Sequence, residues 1–190
     1  MVPELTTPDP AQAHVAVDWR PYLHGKLSDR IVTVVPTARI QALSQRINTL
    51  PAGLKLHSRV AKVYEDRLKM AAGDLRMDWG FAETMAYATL LEDGYNLRLS
   101  GQDCGRGTFF HRHAVLHDQN TGATHLPLRQ LAEYPERVTI IDSLLSEEAV
   151  MGFEYGYATA DPRTLTIWEG QFGDFCNGAQ VVIDQFISSG

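Results

Sequence analysis

Residues 145–175, LSEEAVMGFEYGYATADPRTLTIWEGQFGDF, hold the side chains best suited to chemistry. Ser146 stands at an N-cap position, Glu147 and Glu148 open the helix behind it, and one short strand later comes a glycine-rich loop with Phe172 and Phe175. A carboxylate fixed on a helix start and facing a flat apolar platform can hold a heteroaromatic ring and control its protonation. The same residues also fit a purely structural reading. First-turn acids are favoured by the helix dipole by about 0.3–1 kcal/mol, and two phenylalanines can be an ordinary core pair. Two features weigh against that reading. Ala149, Gly152, Gly156 and Ala160 form a small-residue stripe, which predicts close helix packing and a buried N-terminus, where an ionised carboxylate needs a partner. The phenylalanine loop, moreover, falls where ligands of open α/β sheets bind, beyond the carboxyl ends of the strands.

A second group lies in GQDCGRGTFFHRHAVLHDQ, with Gln102, Arg106, His111, Arg112, His113, His117 and Asp118. Three histidines and an aspartate are enough ligands for a metal, but the spacing matches no zinc module, and His111 and His113 share a face only on a strand. No metal site is expected. A polar surface loop is the plain alternative. An active-site role for the loop is the third. Gly101, Gly105 and Gly107 fit neither GxGxxG nor a Walker pattern.

The elements that must carry these groups follow from periodicity. TARIQALSQRINTL predicts a helix ending before Pro51, with Thr37 as N-cap and Ile40, Leu43 and Ile47 inward. A second helix spans Ser58 to Ala72, stopped by Gly73, with Val60, Val63, Tyr64 and Leu68 inward and Arg67 to Lys69 on a solvated face. Asp78 caps a third, with Phe81, Met85, Ala88 and Leu91 at helical spacing. Strands are expected at Asn96–Ser100, Arg137–Asp142 and Leu165–Glu169, with a helix over 147–160 and a last helix, capped by Asn177, from Gly178 to Ser188. Alternating strands and helices give an α/β fold: a parallel sheet with flanking helices, preceded by a helical arm. Because parallel sheets normally continue with another strand, the sheet reads as truncated, a segment of a longer protein. The expected divisions are an extended or disordered lead (1–17), a helical arm (18–76) and the start of the α/β domain (77–190).

The bulk properties exclude several classes. The chain has 44% hydrophobic and 21% charged residues and a formal charge of −6, which suits a globular protein and not a nucleic-acid binder. No apolar run approaches the roughly 18 residues of a membrane span, and the N-terminus lacks the pattern of a secretory signal. Two distant cysteines, Cys104 and Cys176, suggest no disulfide and a cytoplasmic location.

The segments DWGFAETMAYATLLEDGYNLRLSGQDCGRGTFFHRHAVLHDQ and LSEEAVMGFEYGYATADPRTLTIWEGQFGDFCNGAQVVIDQFISSG resemble the first, decarboxylating component of bacterial 2-oxoglutarate dehydrogenase complexes. The likeness runs from about Trp19 to Gly190, with HRHAV and WEGQFGDF favouring 2-oxoglutarate over pyruvate enzymes. It implies a transketolase-like pyrimidine-binding domain that takes thiamin diphosphate. Glu147, with Glu148 as the weaker alternative, would bond the pyrimidine ring nitrogen and promote the imino tautomer. Burial would raise its pKa for that task. Phe172 and Phe175 would form the stacking wall. The histidine loop would lie near the dicarboxylate substrate, where Arg106, Arg112 and the histidines would supply positive charge, with His111 the leading candidate for a catalytic or substrate-binding role, and Gln102, His113 and Arg112 beside it. The resemblance also implies a homodimer, a lipoyl-bearing succinyltransferase partner, and a magnesium site in a separate diphosphate-binding domain, since no Gly-Asp-Gly motif is present. The isolated chain is therefore expected to be inactive. A non-catalytic α/β module for dimerisation or docking is the competing reading.

Overall fold

In the computed structural model, residues 17–23, 25–26, 28–171 and 176–189 are described. The expected lead falls outside them except for Val17, and so do Phe172 and Phe175.

Among the described residues the main sheet has three parallel strands, β1 (Asn96–Gly101), β4 (Val138–Asp142) and β5 (Thr164–Glu169), in the order β4-β1-β5. Leu97 pairs with Val138 on one side and Leu165 on the other. Side chains alternate across a strand, and the two faces are clearly different in character. Leu97, Val138, Ile140, Leu165 and Ile167 turn to a core shared with α3 (Trp79–Glu92) and α1 (Thr37–Asn48). Arg98 turns to the other face and pairs with Glu154 of α4 (Glu147–Ala160). The sheet thus has helices on both sides, the α/β parallel architecture that the sequence predicts. Between β1 and β4 the chain forms a two-stranded hairpin, β2 (Leu116–His117) with β3 (Thr124–His125).

α3 is apolar over most of its circumference because it is enclosed on most sides. Phe81, Met85, Ala88 and Leu91 are buried, and the Asp78 carboxylate accepts the Phe81 N–H at 2.7 Å as the predicted cap. α1 and α2 (Ser58–Ala72) add Leu43, Ile47 and Ala71 to the same core. Gly73 ends α2 at φ 88°, the left-handed conformation glycine adopts freely. Among the described residues no helix is long and apolar enough to cross a membrane.

Four expectations are corrected. Thr37 is the first helical residue and not a cap: Pro36 holds that position, and its carbonyl accepts the Arg39 and Ile40 N–H groups. On α2 the inward face is Tyr64, Arg67 and Ala71, whereas Leu68 is exposed, because the helix turns Arg67 inward to reach backbone carbonyls. The small-residue stripe of α4 faces out: Ala149, Gly152, Gly156 and Ala160 are exposed, and a Cβ added at Gly152 or Gly156 would meet nothing within 4 Å. The last helix is three short pieces: a 3-10 turn Cys176–Ala179, α5 (Gln180–Val182) and a π-helical turn Ile183–Ile187. Asn177 does not cap it: among the described residues its side chain accepts only the adjacent Gly178 N–H.

Candidate functional site

Parallel strands place their carboxyl ends together, and the loops that follow Gly101, Asp142 and Glu169 border one cleft. Gly101, Gln102, Ser143, Leu145, Glu147, Val150, Trp168 and Gly170 line it. The Ser146 hydroxyl accepts the Ala149 N–H at 3.4 Å and starts α4 there, which puts Glu147 on the cleft wall. Glu147 is partly exposed, not buried as the small-residue stripe predicted, and Glu148 is exposed. A Cβ at Gly178 would lie 3.6 Å from the Glu147 Oε2, so the return of the chain at 178 leaves the carboxylate room. Glycine is required at the end of β1 as well: a Cβ on Gly101 would stand 2.3 Å from the Glu169 carbonyl oxygen. The cleft encloses only about 10 Å³, about the room one water needs. A ring could therefore bind only on its open side.

Gln102 and Glu147 share this cleft. The histidine loop does not join them. Among the described residues His111 sits against α3, its Nε2 3.4 Å from the Glu83 carboxylate. His113 is buried and faces a separate cavity of about 620 Å³ beside α2, lined also by Val60, Val63, Phe110 and Leu116. Burial and the nearby Arg67 charge lower the His113 pKa. Arg106 is held by Asp103 at 2.9 Å and lies over the Phe110 ring. Among the described residues no group of three His, Cys, Asp or Glu side chains is arranged to hold a metal ion.

Arg112 differs most from expectation. It is only 3% exposed and carries no free charge for an anion. Its guanidinium donates to Glu83 at 2.5 Å, to the Cys104 carbonyl at 2.7 Å and to both carboxylate oxygens of Glu169. Burial alone would lower its pKa, but the two carboxylates outweigh that and hold it above the ordinary arginine value. Burial would likewise raise the Glu83 carboxyl, and Arg112 with the Tyr87 hydroxyl holds it below its usual value. The loop that carries Arg112 is strained: Asp103, Phe110 and His113 all have positive φ, each costing about 1–3 kcal/mol where the residue is not glycine.

Sequence reasoning missed Arg67, Glu83 and Glu169. Arg67 is 2% exposed and donates to the carbonyls of His111 and Arg112 at 3.0 and 2.7 Å. Its position at helical spacing between Tyr64 and Ala71 was the available signal, hidden by its charge.

A sequence profile of the family described as "Transketolase, pyrimidine binding domain" matches residues 76–190. Curated relatives named "2-oxoglutarate dehydrogenase E1 component" are similar over nearly all of the chain. The protein of Coxiella burnetii is 53% identical over 185 residues, covering 97% of this chain and 20% of the relative. That of Cupriavidus necator is 55% identical over 179 residues, and that of Haemophilus influenzae 56% over 174, each covering 92% of this chain and 19% of the relative. The chain thus spans about a fifth of the length of these relatives. The profile covers more than half of the chain, and its range takes in α3, all three parallel strands and α4. This chain belongs to the transketolase pyrimidine-binding domain family.

Proposed function

We propose that this chain supplies the pyrimidine-side half of a thiamin diphosphate site in a 2-oxoglutarate-decarboxylating dehydrogenase component, with residues 77–190 as the start of that domain and 18–76 as the arm leading into it. The observation that carries the reading is Glu147: a carboxylate at the capped start of α4, on the cleft at the strand ends, with the Gln102 amide on the same cleft. These residues fit an aminopyrimidine. Val150 and Trp168 give apolar surface, and a carboxylate can accept or share a ring proton. Thiamin diphosphate supplies, when bound, the nucleophilic carbon on which a 2-oxo acid loses carbon dioxide. The task of Glu147 is to hold a proton at the ring nitrogen, and Gln102, on the same cleft, is proposed to bind the substrate. Phe172 and Phe175 are proposed as stacking partners. His111 and His113 are assigned to substrate only through the resemblance.

The enclosed volume of the cleft is too small for a ring, which supports a site whose other wall comes from elsewhere, as in a homodimer. Exposed Leu144, Leu145, Phe153 and Phe186 on the α4 side support the same association. A lipoyl-bearing succinyltransferase is the proposed acceptor partner, and the free, buried Cys104 accords with a cytoplasmic location.

Glu147→Gln in a full-length protein carrying this sequence tests the reading. Proton exchange at the thiazolium carbon of the cofactor and turnover of 2-oxoglutarate are expected to fall about 100-fold or more, the scale of general acid–base catalysis. Unchanged exchange and turnover would remove Glu147 from the role.

A further inference from the structure

We infer that Arg112 is a positioning residue for the cleft: it fixes the end of β5, and with it the Trp168–Gly170 wall, against α3 and the loop after β1. The inference rests on the proposed site and adds a residue that never touches the ring.

Four observations carry it. Glu169 is the last residue of β5, between the cleft residues Trp168 and Gly170, and both of its carboxylate oxygens are held by Arg112. The same guanidinium donates to the Cys104 carbonyl, two residues beyond the cleft residue Gln102. It also reaches Glu83 of α3, so one planar fork ties together both strand ends and the helix beneath them. The backbone of Arg112 is itself held from α2 by Arg67, which keeps the strained loop in place. A second, weaker link runs in parallel: Gln171 donates to Asp103 at 3.5 Å. Lysine could not replace this arrangement, because a point charge on a flexible stem cannot satisfy two carboxylates and a carbonyl at fixed angles.

The test uses Arg112→Lys in the full-length protein. Arg112 does not line the cleft, so the KM for the 2-oxo acid should stay within about twofold, while kcat falls about 10- to 100-fold as the wall shifts. In the absence of cofactor, amide hydrogen exchange should rise in the peptide 164–171 and stay unchanged in 147–160, which separates local loosening from general destabilisation. If that variant does not fold, Glu169→Gln, at a half-buried position, carries the same readouts. Turnover within twofold of the unsubstituted protein overturns the inference, and so does lost turnover with unchanged exchange at 164–171. Failure of the Glu147 assignment would appear instead in the cofactor's proton exchange, which the cofactor-free measurement does not involve.

Discussion

Several polar side chains at the centre of this chain are buried because each has its hydrogen bonds met there. The Tyr64 hydroxyl donates to the His113 carbonyl at 2.8 Å, and burial pushes its pKa up to about 12. The Cys104 thiol donates to the Ile141 carbonyl at 3.0 Å and to Asp142, and burial pushes it up to about 12 as well. At pH 8 the reactive thiolate is then about 10⁻⁴ of the total. Native protein treated with iodoacetamide should leave the Cys104 peptide unlabelled on mass mapping, and denaturant should expose it. Substantial labelling in the native state would show that the thiol is open. Contacts of this kind were the least legible part of the sequence. Ser146 and Glu147 could be read because a cap and its first turn are adjacent. Glu83, Arg112 and Glu169 could not, because separations of 29 and 57 residues leave no periodic trace.

Elements were more legible than contacts. α2 and α4 fall where their caps, stops and apolar spacing placed them, since those signals are local. The last helix departs in its bonding: the Ser188 N–H reaches back five residues to Ile183, a π-type step, and the Ser189 hydroxyl donates to the carbonyls of Asp184 and Gln185 at its end. The face of α4 was misjudged for a different reason. Small residues permit close packing, but the neighbour has to be present. Where α3 meets the histidine loop the neighbour is present: a Cβ at Gly80 would lie 2.2 Å from the His111 carbonyl oxygen, which Arg67 holds in place. Helix propensity alone would make Gly80→Ala stabilising by about 0.8–1 kcal/mol. The clash should reverse the sign, costing about 1–3 kcal/mol, seen as faster amide exchange across α3. A slower rate would show that the loop can yield.

At the scale of the whole molecule, distant segments are joined at a few points. The Asp118 carboxylate accepts the N–H groups of Lys55, Thr121 and Asn120, and so ties the hairpin to the chain before α2. Those bonds, that of Lys55 first, hold its pKa down to about 2. A depressed carboxyl stabilises the fold above its unfolded value near 3.9, and that contribution is lost as pH falls from about 4 to about 2. Thermal midpoints should therefore show Asp118→Asn less stable at pH 6, with the gap closing toward pH 2. A gap that stays constant would mean the charge is not what matters. The order of the sheet sets a further constraint. β1 is the central strand and the first to be made, yet Thr164 follows its partner Asn96 by 68 residues. At a synthesis rate of about 5–20 residues per second, β1 waits about 3 to 14 seconds on the ribosome before both of its edges can be covered. Until β5 follows β4, Leu97 and Leu99 lie on a strand with at least one open edge, and the nascent chain depends on α1 to α3, already complete, to shield them.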